Sequence, residues 1–191
     1  MLGAYYIAKK MTTKIGIIMQ TIILGGGCFW CTESVFLSVK GVQSVISGYM
    51  GGDSVSANYE AVCGGDTGHV EVIKVEFDEN TVPLEVLLDV FFATHDPTTM
   101  DRQGNDVGSQ YRSVVFYTDE TQKPTVDRTI NKLRDMGIGI VTEVHPAAEF
   151  YQAEDTHQDF FNRNPGQAYC NFAIPPKLAK LRKEFSQYMV N

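Results

Sequence analysis

Cysteine is scarce in this chain, with four residues among 191. These four are too few and too dispersed to hold together a secreted, disulfide-rich domain of this length. Such a scaffold is therefore excluded. Reactive thiols or metal ligands remain as roles for Cys28, Cys31, Cys63 and Cys170.

The sequence also lacks an apolar run of the roughly 20 residues that a membrane-spanning helix needs. Lys9, Lys10 and Lys14 do precede an apolar stretch at 15–24, as in a signal peptide. Glycines follow that stretch, however, where a small-x-small cleavage site would stand. We interpret 20–24 as a first buried strand, with a signal peptide as the alternative.

Positive charge is in deficit, because 16 Lys and Arg residues face 23 Asp and Glu residues and leave a net charge of -7. This balance disfavours nucleic acid or an anionic membrane as a partner, whereas a small neutral substrate fits it. Internal repeats, low-complexity tracts and linkers are missing as well. We expect residues 1–19 to be an N-terminal extension and residues 20–191 to form a single domain. A cytoplasmic monomer is expected.

Strand-like and helix-like patterns alternate along the chain. Alternation over 69–77 puts Glu71 on the apolar face of a strand, and Pro83 opens a helix with one apolar stripe. Strands alternating with helices indicate a layered α/β or α+β domain. The remaining patterns predict strands at 20–24, 111–117 and 140–144, helices at 29–39, 120–135 and 177–189, and loops at 48–68 and 98–110.

Cys28 follows three glycines and stands at the predicted start of a helix. Free backbone N–H groups and the positive end of the helix dipole favour a thiolate there. The glycines allow a substrate to approach the sulfur closely. A small buried hydrophobe at a turn is the alternative interpretation of Cys28.

Cys31 completes a Cys-x-x-Cys motif with Cys28, which can close a disulfide or share a metal ion. A structural zinc site would need two more ligands, and Cys63 and Cys170 are single residues far along the chain. Redox chemistry is therefore favoured over zinc. We expect neither a metal nor a cofactor.

Phe29 and Trp30 stand between the two cysteines and suit a hydrophobic pocket for a methyl or thioether group. Glu71, on its apolar strand face, should be partly desolvated, which would raise its pKa and let it act as a general acid. The alternative is a glutamate that reaches solvent or pairs with His69 or a lysine.

Further polar residues lie on or beside predicted loops and could hydrogen-bond a substrate oxygen or an ordered water: Tyr59, Asp106 and Tyr111. From the residues alone, ordinary loop tyrosines and a turn aspartate are the favoured interpretation. His95 and Asp96 precede Pro97 and are explained by a helix end with an Asx turn, so we assign them no chemistry.

Six ordered blocks of sequence resemble the methionine sulfoxide reductase A family over roughly 20–185. The first is Gly27-Cys-Phe-Trp-Cys-Thr-Glu33, which carries both members of the Cys-x-x-Cys motif. Any one block would be weak, but chance does not explain six in order. The others are Gly48-Tyr-Met-Gly-Gly52, Asn58-Tyr-Glu-Ala-Val-Cys63, Thr67-Gly-His-Val-Glu71, His95-Asp-Pro97 and Gln103-Gly-Asn-Asp-Val-Gly-Ser-Gln-Tyr-Arg112, with the region from Gln158 to Cys170 in addition.

The resemblance implies a two-layer α/β sandwich of ferredoxin-like kind, with a mixed sheet and flanking helices. It also implies reduction of the S epimer of methionine sulfoxide, free or in proteins, as a repair of oxidative damage. Cys28 would be the nucleophile and Glu71 the acid. The sulfenic acid left on Cys28 would be resolved to a disulfide by Cys31 and then by Cys170, with thioredoxin as the reductant. The implied substrate-binding residues are Phe29, Trp30, Tyr59, Asp106 and Tyr111.

Two other functions remain as alternatives. A general thiol–disulfide oxidoreductase would use Cys28 and Cys31 and would not need Glu71. A metal-binding or redox-sensing module would use the four cysteines and tolerate the loss of Glu71, Tyr59 and Tyr111.

Overall fold

The computed structural model describes Gly16 and residues 18–190. The expected extension, residues 1–19, therefore lies almost entirely outside the described residues, as do the lysines of the alternative signal peptide. Among the helices of the described part, none is long and apolar enough to cross a membrane.

A mixed six-stranded sheet, in the order β7-β6-β1-β3-β2-β8, forms one layer of the fold. All neighbouring strands in it are antiparallel except β6 and β7, which are parallel. The two remaining strands, β4 and β5, form a separate small hairpin. The bounds are β1 Met19–Gly25, β2 Val42–Met50, β3 Val70–Asp78, β4 Arg102–Gln103, β5 Asp106–Val107, β6 Val114–Tyr117, β7 Glu143–Pro146 and β8 Tyr151–Gln152.

Helices form the second layer and cover one face of the sheet. Alternation along β3 explains this arrangement, because Ile73 and Val75 join the large core beneath the helices while Val70 and Val72 join a smaller cluster on the opposite face. The expected α+β two-layer sandwich is thus confirmed. The helices are α1 Phe29–Leu37, α2 Tyr59–Cys63, α3 Leu84–Thr94, α4 Lys123–Asp135, α5 Phe160–Arg163 and α6 Ala168–Glu184.

Local sequence patterns predicted the elements around β1, β3 and α3 correctly. The strand predicted at 20–24 is β1, and the alternation at 69–77 is β3 with Glu71 on the buried face. The apolar stripe predicted after Pro83 lies on α3, and all of its residues are buried in the core: Leu84, Leu87, Leu88 and Phe91. The apolar residues that form these patterns are themselves buried in the core, so the pattern alone predicted each element.

The prediction of a loop over 48–68 was wrong at two places. Residues 48–50 belong to β2, which pairs along most of its length with β3, and 59–63 form α2. Gly48 looked like a loop glycine, but it serves close packing within the sheet. A Cβ at Gly48 would lie 2.4 Å from the ring of Phe150 and from the backbone oxygen of Tyr151.

Several predicted boundaries also shift. The strand predicted at 111–117 begins at Val114 after a short 3₁₀ turn, and the strand predicted at 140–144 is β7, Glu143–Pro146. The last helix, predicted at 177–189, is α6 and begins nine residues earlier, at Ala168. It continues through Pro175 and Pro176, where a sequence pattern would normally place a helix start.

Candidate active site

Cys28 lies at the junction between β1 and α1, at the N-cap position of the helix. The turn needs glycine at position 27, where φ is +89° and a Cβ would come within 2.5 Å of the Gln103 side chain. The hairpin that carries Gln103 can therefore close over the turn. Cys28 itself is 8% exposed, so its sulfur sits in a narrow opening rather than on the surface.

Glu71 points from β3 toward the same helix start and is 2% exposed. The backbone N–H of Phe29 donates a hydrogen bond of 2.9 Å to Oε2 of Glu71. Burial raises the pKa of this carboxyl to about 8, so the protonated form predominates at neutral pH. With one oxygen accepting from the backbone, the other is free to donate a proton.

His69 is not the partner of Glu71, contrary to one interpretation of the sequence. Its Nδ1 accepts from the backbone N–H of Gly52 at 3.1 Å, and its Nε2 lies 2.9 Å from the backbone oxygen of Asp53. The imidazole is thereby used to hold the loop after β2. Glu71 remains without a counter-charge from this side.

A cavity of about 150 Å³ opens beside Cys28 and brings together most of the residues singled out in the sequence. We call it the aromatic cavity. Burial raises the pKa values of Tyr59 and Tyr111, so both phenols keep their protons and can donate hydrogen bonds. Its lining residues are Cys28, Trp30, Tyr59, Glu71, Asp106, Tyr111 and Tyr169.

Phe29 is the expected pocket residue that does not line this cavity. Its side chain is completely buried in the core, with ring centroids 5.8 Å from Tyr49 and 6.5 Å from Tyr59. Trp30 lines the cavity in its place, with its ring 3.7 Å from Phe160 and its indole N–H donating to Nδ1 of His157 at 3.3 Å. Neighbouring residues of a helix point about 100° apart, and here Phe29 points into the core while Trp30 faces the cavity.

A second cavity, of about 170 Å³, lies on the other side of Cys28 between the β4–β5 hairpin and α6. We call it the cysteine cavity, because Cys28 and Cys31 both line it. Cys28, Asp106 and Tyr169 line both cavities. The cysteine cavity is lined by Gly26, Cys28, Cys31, Gln103, Gly104, Asn105, Asp106, Tyr169, Phe172, Ala173 and Lys177.

The pKa values of the two thiols in this motif shift in opposite directions, and the shift at Cys28 is opposite to the thiolate expected there from the sequence. A hydrogen bond with Cys31, followed by burial and the charge of Glu71, raises the pKa of Cys28 well above its usual value. The same hydrogen bond, followed by the positive charge of Lys177, lowers the pKa of Cys31. Cys31 is therefore the more acidic thiol before any reaction has occurred.

Cys170 lines neither cavity. Its side chain is fully buried on the inner face of α6, and burial raises its pKa to about 11. Cys63 is exposed on α2, and all four cysteines are free thiols. The described residues contain no group of three or more His, Cys, Asp or Glu side chains that could hold a metal ion.

Sequence patterns missed two residues of these cavities, Tyr169 and Lys177. The Tyr169 hydroxyl donates a short hydrogen bond to Asp106, which joins α6 to the β4–β5 hairpin. Lys177 reaches the cysteine cavity and donates to the backbone oxygen of Thr94. Tyr169 could have been found from the sequence because it stands next to Cys170, whereas no sequence pattern pointed to Lys177.

Two further side chains hold the segment that supports Trp30. Glu33 is almost fully buried and accepts from the backbone N–H groups of Asp159 and Phe160, at 2.9 and 3.2 Å. Gln158 donates to the backbone oxygens of Ser47 and Ala153 and accepts from the N–H of Ser47. They fix the loop before α5 against α1 and β2.

His95 lies at the end of α3, as the sequence predicted when it assigned this residue no chemistry. Its Nδ1 lies 2.6 Å from the backbone oxygen of Phe91, and its Nε2 lies 2.8 Å from Oγ of Ser113. Burial lowers its pKa to about 4, so the imidazole is neutral. Both ring nitrogens are used within the core.

Comparisons with known proteins agree with the resemblance seen in the sequence. The family model described as "Peptide methionine sulfoxide reductase" matches residues 20–189. The chain is 94% identical over 173 residues to peptide methionine sulfoxide reductase MsrA of Psychrobacter cryohalolentis, which covers 91% of this chain and 100% of that protein. It is 57% identical over 173 residues to the MsrA of Acinetobacter baumannii strain AYE, with the same shares of the two chains covered.

Solved structures give a matching fold. The reduced form of Mxr1 from Saccharomyces cerevisiae superposes with a TM-score of 0.74 at 32% identity, over 82% of this chain and 90% of that one. Methionine sulfoxide reductase A of Corynebacterium diphtheriae superposes with a TM-score of 0.69 at 34% identity, over 82% and 83% of the two chains.

Proposed function

The chain belongs to the peptide methionine sulfoxide reductase family, and we propose that it reduces the S epimer of methionine sulfoxide through a thiol mechanism centred on Cys28. It is an oxidoreductase of the A type, like the relatives that it matches. One observation carries the mechanism: a buried carboxylic acid and a cysteine line the same small cavity, Glu71 beside Cys28. The proposal includes free and protein-bound substrates, and a single-domain monomer acting in the cytoplasm.

Substrate binding follows from the shape of the aromatic cavity. The substrate's methyl group packs against the indole of Trp30, with Phe29 supporting that wall from the core. The hydroxyls of Tyr59 and Tyr111 donate to the sulfoxide oxygen. Asp106 orients the Tyr169 hydroxyl at the boundary of the two cavities.

In the first step the sulfur of Cys28 attacks the sulfoxide sulfur while Glu71 gives its proton to the oxygen. The oxygen passes to Cys28, methionine leaves, and a sulfenic acid remains on the enzyme. The proton of the Cys28 thiol returns to Glu71, so the carboxylic acid is regenerated. The raised pKa of Glu71 supports this role, since a carboxyl of ordinary pKa would be ionised at pH 7.

In the second step a thiol must condense with the sulfenic acid and release water. Cys31 is the thiol that forms the first disulfide in this proposal, because it lines the cysteine cavity together with Cys28. Cys170 then takes over the disulfide by thiol exchange and presents it to a dithiol reductant of the thioredoxin kind. That exchange requires movement of α6, because Cys170 is fully buried.

The first experiment follows the S and R epimers of a blocked methionine sulfoxide separately, with dithiothreitol or thioredoxin as reductant. We expect the wild-type protein to consume the S epimer alone, Cys28→Ser to consume neither, and Cys63→Ser, at an exposed cysteine, to retain the activity. Consumption of neither epimer by folded wild-type protein with free thiols would overturn the proposal. Reduction of insulin disulfides by the same sample would then favour the general thiol–disulfide oxidoreductase.

The order of the resolving cysteines is tested by trapping the sulfenic acid with dimedone after one turnover. Cys31→Ser should accumulate the adduct on Cys28, whereas Cys170→Ser should form the Cys28–Cys31 disulfide at close to the wild-type rate. The order is wrong if Cys31→Ser keeps full thioredoxin-dependent turnover and gives no adduct.

A further inference from the structure

Lys177 places a positive charge at the cysteine cavity. Among the described residues that line this cavity it is the only cation, and Asp106 is the only carboxylate. The ammonium donates to the backbone oxygen of Thr94, the last residue of α3, which restricts where the charge can lie. The side chain is half-buried, so water screens its charge less than that of a surface lysine.

The charges around Cys31 come from several elements. Asp106 on β5 is the carboxylate that disfavours a second negative charge at Cys31, whereas Glu71 on β3 is protonated at neutral pH and adds no charge. The Tyr169 hydroxyl on α6 donates to Asp106, and Cys28 offers its thiol proton to Cys31. Lys177 on α6 is the group that contributes a full positive charge, and it acts against the carboxylate.

This balance changes when the first half of the reaction is complete. In the resting protein, the hydrogen bond from Cys28 is the largest influence that lowers the pKa of Cys31, and the charge of Lys177 comes next. Once Cys28 is a sulfenic acid, its thiol proton is gone. The charge of Lys177 is unaltered by that chemistry, so it remains to stabilise a Cys31 thiolate at the moment when one is needed.

We propose that Lys177 is a positioning residue for disulfide formation, holding Cys31 as the thiolate that attacks the Cys28 sulfenic acid. The proposal rests on the proposed function and adds a residue that the first half-reaction does not use. In the step, the Cys31 sulfur forms a bond to the Cys28 sulfur while the bond from that sulfur to oxygen breaks. Hydroxide leaves and takes a proton to become water; Cys31 is oxidised, and the sulfenic sulfur is reduced.

The test compares Lys177→Gln with Lys177→Arg. Glutamine keeps a donor for the Thr94 oxygen but removes the charge, whereas arginine keeps both. The protein is mixed with one equivalent of S sulfoxide without reductant, and methionine, dimedone adduct and disulfide are measured against pH. For Lys177→Gln we expect disulfide formation about tenfold slower at pH 7, with a pH midpoint raised by about one unit.

Controls separate the charge from a structural role. Lys177→Arg should restore the wild-type profile, and Lys183→Gln, at an exposed lysine on the same helix, should match wild type. Methionine release in the first turnover should be the same in all of these proteins. If no methionine forms, the proposed function fails; if it forms and Lys177→Gln resolves its sulfenic acid with the wild-type pH profile, only the role of Lys177 fails.

The wild-type protein supplies a second measurement in case Lys177→Gln does not fold. Its rate of disulfide formation should reach half its maximum below about pH 8.5, the ordinary pKa of a thiol. A midpoint at or above that value would contradict the proposal.

Discussion

The two cavities that meet at Cys28 differ in the charge that they hold at neutral pH. The aromatic cavity contains a carboxylic acid kept neutral by burial, Glu71, among phenols that keep their protons. The cysteine cavity contains an ammonium group, Lys177, beside the more acidic thiol, Cys31. One side can therefore give a proton, and the other can stabilise a negative charge.

Under the proposed mechanism, this difference lets one sulfur atom take part in two reactions with opposite requirements. Removal of an oxygen atom needs a proton donor, whereas disulfide formation needs a thiolate. Placing both groups in a single cavity would pair the carboxyl with the ammonium and lower the pKa of the acid. The hydrogen bond between Tyr169 and Asp106 lies at the boundary between the two environments.

The largest expected effect comes from removing the proton donor of the aromatic cavity. Glu71→Gln should slow methionine release in a single turnover by about 100- to 10,000-fold, since general acid catalysis contributes on that scale. In the wild-type protein the same rate should fall as the pH rises through about 8, because the acid form is then lost. Stopped or quenched mixing with S sulfoxide measures both. An unchanged rate in Glu71→Gln would mean that the proton comes from elsewhere.

A smaller effect should distinguish the walls of the two cavities. Trp30→Ala removes the indole that lines the aromatic cavity and should lower kcat/KM for the S epimer by about 10- to 100-fold. Phe172→Ala removes a largely exposed aromatic at the cysteine cavity and should leave single-turnover methionine release within about twofold. Equal losses in the two variants would contradict the assignment of substrate to the aromatic cavity.

The last effect concerns stability rather than rate. The pKa of Glu71 is about 8 in the folded protein and roughly 4.3 in an unfolded chain, so between these values the native state holds a proton that the unfolded state has lost. Stability from this group is therefore present near pH 4 and is lost as the pH rises toward 8. Glu71→Gln should unfold at higher urea concentration than wild type at pH 8, by on the order of 5 kcal/mol, with the gap closing toward pH 4.

The matched control for this comparison is Glu60→Gln, at an exposed glutamate on α2. It should show no such pH-dependent gain. A wild-type stability that does not depend on pH between 5 and 8 relative to Glu71→Gln would show that Glu71 is not desolvated in solution.

Local patterns in the sequence predicted where Cys28 and Glu71 lie in the fold. The glycines before Cys28 and the alternation around Glu71 lie within single elements, so a few neighbouring residues contain the whole signal. Phe29 shows that a neighbouring position in the sequence does not fix a position in the site, because standing next to Cys28 did not put its side chain in the aromatic cavity. The helical rotation between Phe29 and Trp30 leaves Trp30 as the one of the two that lines the aromatic cavity.

Other features of the fold and the site depend on contacts between distant parts of the chain. Strand β2 is stabilised by pairing with β3. Apolar and polar residues alternate too weakly along β2 itself to predict a strand. The positions of Tyr169 and Lys177 depend on how α6 packs against α1 and α3, which no local pattern contains. The lowered pKa of Cys31 follows from the same packing. Because the sequence does not show that packing, it predicted the thiolate at Cys28.

The two consecutive prolines in α6 remove backbone hydrogen bonds from the middle of that helix. Neither Pro175 nor Pro176 has a backbone N–H, so the carbonyls of Asn171 and Phe172 lose their usual partners within the helix. Residues 168–174 are therefore joined to the rest of the helix by fewer backbone hydrogen bonds, and we expect this unit to open more easily than the sheet or α1. Cys170 lies in that unit, and local opening would bring its sulfur to solvent without melting the sheet or α1.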